Sequence, residues 1–263
     1  MTGKKKVLFI GAGRMAQAII GGLVKKEEFF IWAANNGNQE RLEYVRDTYQ
    51  IDITRDWVYQ IDNIDIVVLA MPPESHDQIL KELYRYVNGQ LIVTVAAGIA
   101  PSYLEDRLPV GTPTAWIMPN TAGKIGQSMT LYAPGRYAKE QHLHVIESLL
   151  AGIGLFEKVT EEQIHQLTAI TGSAPAFIYK VAESLTEMAA ETGISTAQAR
   201  KLVSQMIFGS AAMLRTGEDP AQLTGEVATP GGSTAVGLEV LKDYHLDEML
   251  KEAIEACRQK SRD

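Results

Sequence analysis

A four-residue apolar run, Val7-Leu8-Phe9-Ile10, breaks directly into Gly11-Ala12-Gly13-Arg14-Met15-Ala16. This junction constrains the fold more than any other stretch of the 263 residues. β-Branched and aromatic side chains favour a strand, glycines permit a tight turn, and apolar residues recurring three and four apart over Met15–Lys25 predict a helix with one buried face. A strand, a glycine turn and a helix whose first free N–H groups face that turn make a site for a dinucleotide pyrophosphate. Gly11 permits the turn, Gly13 lets phosphates approach the backbone, and Ala16 is the small residue where helix packs on strand.

The junction opens a series. Short β-branched runs at Val7–Ile10, Phe29–Ala33, Ile64–Ala70, Leu91–Ala96, Trp116–Met118, Met129–Ala133 and Leu155–Val159 alternate with helical periodicity at Gln39–Thr48, Ser75–Tyr86 and Lys139–Ala151. That alternation predicts βαβ units and a parallel, doubly wound Rossmann-type sheet over residues 1–158. From 159 to 263 strand signals stop and an all-α domain is expected. A helix is predicted from a cap near Ser173, with Pro175 in its first turn, to about Thr192. Ser195-Thr196-Ala197-Gln198 is a capping-box pattern, and Asp219-Pro220 opens another helix. Ala176–Leu214 is apolar on more than one face, which suits either contacts between copies or a helix buried in its own chain.

Charge and cysteine count narrow the functional classes. Lys plus Arg number 25 against 32 Asp plus Glu, a net −7, so no bulk positive field holds a polyanion and no nucleic-acid partner is expected. One cysteine, Cys257, forms no intramolecular disulfide, and no apolar stretch reaches the roughly 20 residues of a membrane span. A cytoplasmic protein without a membrane partner is expected.

The end of the second strand bears on the cofactor. Where an NAD enzyme commonly places a carboxylate on the ribose, the chain reads Ala34-Asn35-Asn36-Gly37. Neutral donors leave nothing to repel a 2′-phosphate, which favours NADP over NAD. Small residues and prolines also stand at later strand ends, in Ala70-Met71-Pro72-Pro73, Ala97-Gly98-Ile99 and Met118-Pro119-Asn120-Thr121. In the helical half, Thr229-Pro230-Gly231-Gly232-Ser233-Thr234 exposes N–H groups and hydroxyls at a helix start, which suits a carboxylate. His76, His142, His144, His165 and His245 show no metal-ligand spacing and are read as surface residues. The glycine-rich segments carry no evident general base, so a hydride transfer needing little acid–base help fits best.

As a set these segments, with Thr171-Gly172-Ser173-Ala174-Pro175-Ala176, resemble the pyrroline-5-carboxylate reductase family, in the family's order and over nearly the whole chain. The resemblance implies a homodimer or an assembly of dimers and a small-molecule substrate, 1-pyrroline-5-carboxylate, whose C=N receives a hydride from NADPH or NADH to give proline. It places Gly11, Ala12, Gly13, Arg14 and Met15 at the pyrophosphate and Asn35 and Asn36 at the 2′-phosphate. Ala70, Met71, Pro72, Ala97, Gly98 and Asn120 fall around the nicotinamide and its ribose. Asn120, Ser173, Gly231, Gly232, Ser233 and Thr234 fall to the substrate, with Thr234 also placed to hydrogen-bond near the imine. Asn36, Met71, Ala174 and Thr229 depart from the arginine, lysine, glycine and serine common in the family. A related imine or hydroxyacid dehydrogenase, or a nucleotide-sensing paralogue, remains as an alternative.

Overall fold

The computed structural model describes residues 4–35 and 37–260. The chain separates into two units, one running through Gly172 and including the chain from Arg258, the other Ser173–Cys257.

The first unit carries β1 (Lys5–Ile10), α1 (Arg14–Leu23), β2 (Phe29–Ala34), α2 (Gln39–Tyr49), β3 (Asp52–Thr54), β4 (Ile66–Leu69) and α3 (His76–Leu83). It continues through β5 (Leu91–Thr94), α4 (Pro101–Glu105), β6 (Thr114–Met118), β7 (Ser128–Pro134), α5 (Glu140–Leu150), β8 (Gly154–Lys158) and α6 (Glu161–Thr168). The sheet order is β3-β2-β1-β4-β5-β6-β7-β8. Strand order reverses at β1, which pairs with β2 on one side and β4 on the other. Alternate residues of β1 enter different cores: Val7 and Phe9 pack with Ile19, Ile20 and Leu23 of α1, while Leu8 and Ile10 pack with Trp57, Leu80 and Leu83. Both faces are covered, as a parallel sheet requires.

The sheet differs from the expected all-parallel one at β7, which runs antiparallel to β6. The link between them, residues 119–127, is shorter than the dozen or so residues a parallel crossover needs. The boundary expected at 158/159 also differs from the division by contacts, because Ile164 and Leu167 of α6 pack with Trp116, Leu131 and Ala133 of β6 and β7.

The second unit is helical, with α7 (Pro175–Ala190), α8 (Thr196–Leu214), α9 (Pro220–Val227), α10 (Ser233–Asp243) and most of α11 (Leu246–Lys260). The capping box forms: Ser195 Oγ accepts from Gln198 N and Gln198 Oε1 accepts from Ser195 N. Asp219 Oδ1 accepts from Ala221 N at 2.8 Å. The cap expected near Ser173 does not form. Residues 169–173 already turn as a π-helix, and Ala174, in helical conformation, precedes α7 without a side-chain cap. Serine caps from extended backbone, and no residue here supplies it.

This unit has almost no interior of its own. Among the described residues α8 buries Ala199 and Val203, and α7, α9 and α10 bury none. Tyr179, Leu202, Met206 and Phe208 stand exposed, Phe208 at 68%.

Candidate functional site

Gly11 follows β1 in the left-handed region, at φ +105°. A Cβ there would lie 2.6 Å from the carbonyl carbon and oxygen of Ala70, so the fold itself demands glycine. Gly13 differs. Its φ of −71° is open to any residue, and a Cβ would meet only Ala70 O, at 4.0 Å. Neither backbone nor packing requires a glycine at this position, and the space it leaves faces the start of α1. That start has no side-chain cap and no acidic residue in its first turn, so its N–H groups and the helix dipole are available to an anion. Arg14 is exposed beside them, Met15 is half-buried, and Ala12 is buried, leaving only its backbone to a ligand.

The carboxyl ends of β1, β2 and β4 enclose a cleft of about 270 Å³. Gly11, Asn35, Met71 and Pro72 line it together with Trp57, Ser75, Gln78 and Ile79. Among the described residues no ionisable side chain contributes to that lining. Asn35 Nδ2 donates to Asn38 O at 3.1 Å, and Asn38 in turn caps α2 by accepting from Arg41 N. Asn36 lies outside the described residues. Ala97 and Gly98 are exposed beyond β5, with Gly98 at φ +77°.

Asn120 has both ends of its amide engaged: Oδ1 accepts from Ala122 N and Nδ2 donates to Thr171 O, each at 3.0 Å. These two bonds hold the loop after β6 and leave the amide a second N–H and a second acceptor position. In the second unit, Gly231 has φ +76°, and a Cβ on Gly232 would lie 2.7 Å from Thr229 Oγ1. The turn delivers Ser233 and Thr234 to the first turn of α10, which has no side-chain cap and no acidic residue. Ser173 is half-buried at the head of this unit.

His76 is not a surface residue: it is 0% exposed, between Pro72 and Thr94. Its burial comes from α3 docking on β5, which no local pattern announces. Trp57, Ser75, Gln78 and Ile79 were missed because they meet the strand ends only through tertiary packing. The α3 residues among them become a cleft wall only once the helix is placed.

Comparisons with known proteins bear on both units. Residues 161–263 match the family model described as pyrroline-5-carboxylate reductase dimerisation, and residues 6–98 match one described as NADP oxidoreductase coenzyme F420-dependent. Pyrroline-5-carboxylate reductase 1 of Bacillus spizizenii is 34% identical over 99% of this chain and 89% of that protein. The chain belongs to the pyrroline-5-carboxylate reductase family. A reductase structure from Streptococcus pyogenes superposes with a TM-score of 0.89 at 29% identity, covering 98% of each chain. One from Coxiella burnetii gives 0.88 at 27% identity, again over 98% of each. The chain is therefore an NAD(P)H-dependent oxidoreductase whose second unit serves oligomerisation.

Proposed function

We infer that this family member reduces the C=N bond of 1-pyrroline-5-carboxylate to give proline, with NADPH as reductant. Family membership supports the reaction, and one observation carries the cofactor site: Gly13, which nothing in the protein requires to be glycine, stands before an uncapped helix start without acidic residues. Pyrophosphate oxygens fit there and accept the N–H groups of Arg14 and Met15, with the Arg14 guanidinium as counter-charge. The described lining, without carboxylates, and the Asn35 amide suit a 2′-phosphate. Ala70, Met71, Pro72, Ala97 and Gly98 supply close backbone to the nicotinamide half, and Asn120 keeps the adjoining loop in place. When bound, the cofactor delivers a hydride to the imine carbon.

The chain's own contribution is orientation. The first turn of α10, reached through Gly231 and Gly232, receives the substrate carboxylate on its N–H groups and on the Ser233 hydroxyl, with Ser173 assisting. Thr234 Oγ1 donates a hydrogen bond near the imine nitrogen, whose proton comes from water. No strong base is needed, and positioning supplies most of the rate. The exposed apolar side chains of α7 and α8 support a homodimer, alone or within an assembly of dimers, acting on a small molecule in the cytoplasm. No described helix is long and apolar enough to cross a membrane.

The test is the initial rate of cofactor oxidation with pyrroline-5-carboxylate, NADPH and NADH side by side at equal concentration. A substantial rate, larger with NADPH, is expected. Protein that binds the cofactor yet turns over neither would overturn the reaction. Thr234→Ala raises KM for the imine or lowers kcat while leaving NADPH affinity unchanged; unaltered kinetics would remove this turn from the site.

A further inference from the structure

The His76 imidazole is fully buried at the first position of α3 and is bonded at both nitrogens. Nδ1 lies 3.1 Å from Pro72 O, in the loop after β4, and Nε2 lies 3.2 Å from Thr94 Oγ1, the last residue of β5. A carbonyl only accepts, so Nδ1 carries the proton and Nε2 is the acceptor of the Thr94 hydroxyl. The same Thr94 oxygen accepts from Ala96 N at 3.2 Å. A continuous chain of donors thus runs from the backbone entering Ala97-Gly98, through Thr94 and His76, to the backbone of Pro72. Pro72 and its neighbour Met71 line the cleft, as do Ser75, Gln78 and Ile79 on the same turn and helix.

We propose that His76 and Thr94 are a positioning pair that locks the loops after β4 and β5 to each other from inside the fold, so that both are held ready for the dinucleotide. The proposal rests on the cofactor reading given above. An apolar side chain fills a site beside Leu80 and Leu83 without the desolvation cost of an imidazole and a hydroxyl, so packing alone gives no reason for the pair. What the pair adds is direction. Each partner can bond the other only when the two loops are in register, and every donor in the chain is then satisfied. Neither side chain touches the ligand; both act through Pro72 and Ala96.

The experiment compares wild type with Thr94→Val, Thr94→Ser, His76→Leu and the double variant Thr94→Val/His76→Leu. It reads the NADPH dissociation constant by fluorescence titration, KM for NADPH and for pyrroline-5-carboxylate separately, and Tm. Thr94→Val and His76→Leu are each expected to weaken NADPH about 10-fold, the scale of one lost buried hydrogen bond. KM for the imine stays within about twofold, because only preorganisation for the nucleotide is lost. Thr94→Ser restores wild-type affinity, and the double variant is no weaker than the weaker single one. If His76→Leu fails to fold, the Thr94 series decides alone. A folded Thr94→Val protein with wild-type NADPH affinity overturns the proposal and leaves the cofactor reading intact. Wild-type protein that binds no NADPH overturns both. Wild type that binds NADPH without reducing the imine overturns only the reaction, and the binding comparison still decides the pair.

Discussion

The two units of this chain solve the burial problem differently. In the first, every residue of β4 and β5 is buried, and separate apolar clusters cover the two faces of the sheet. In the second, helices as long as α7 and α8 bury only Ala199 and Val203 between them. An amphipathic helix in water needs a surface to cover, since tertiary packing supplies most helical stability. The nucleotide-binding unit therefore carries its own stability, while the helical unit leaves apolar faces for a surface outside itself, which the proposed homodimer would supply. Residues 161–263 match a dimerisation model, and the exposed apolar side chains of α7 and α8 agree with that description.

The difference between the two units is open to direct test. The largest effect is expected from Phe208→Asp, a charge placed on the exposed apolar face of α8. Sedimentation should show the assembly falling to single chains with loss of turnover, while NADPH binding by the first unit persists. Wild-type Tm should rise with protein concentration, as mass action requires. A wild-type protein that sediments as a single chain at all concentrations would dissolve the comparison.

A smaller effect separates fold from ligand within the first unit. Gly11→Ala drives a Cβ against the Ala70 carbonyl at a positive φ and should cost about 2–4 kcal/mol. Gly13→Ala meets no protein atom closer than 4.0 Å, so calorimetry should show Tm nearly unchanged while NADPH binds about 10-fold or more weakly. Equal loss of stability in both variants would mean that Gly13 serves packing.

The smallest effect is in pH. Burial holds the His76 imidazole below its ordinary value of 6.5, against the opposing pull of the Pro72 and Pro73 carbonyls and of Asp77 and Glu74. His142 is lowered as well, chiefly by burial and by Lys139 and Lys5. Unfolded histidine then binds protons that the folded chain refuses, so stability is complete above 6.5 and falls as the pH drops below it. Denaturation of wild type and His76→Leu across that range should show the flatter curve in the variant. Parallel curves would mean that His76 titrates alike in both states.

Much of the first unit was legible because its periods change abruptly. Val7-Leu8-Phe9-Ile10 reads as strand and Met15 onward as helix, and the glycines between them mark the only turn the pattern allows. Asp52-Ile53-Thr54 escaped because three residues at a sheet edge carry no period. The reversal at β7 is set by the length of residues 119–127 rather than by composition. At the site, Gly11, Asn35, Met71 and Pro72 were readable as strand ends and do converge on one cleft. Asn120 reads as a ligand by motif, and its amide also ties Ala122 to Thr171, a long-range partner no local window contains. His76 was legible only in three dimensions.

The uneven distribution of buried surface also sets the order of events when the chain is made. The sheet assembles largely from neighbouring strands, so it can close while the later helices are still being synthesised. On the homodimer reading proposed above, the apolar faces of α7 and α8 then wait on an encounter between two finished chains, a step whose rate grows with the amount of protein present. On the same reading, at low abundance a new chain would spend longer with those faces bare, and exposure to quality control, rather than chemistry, would set how much reductase accumulates.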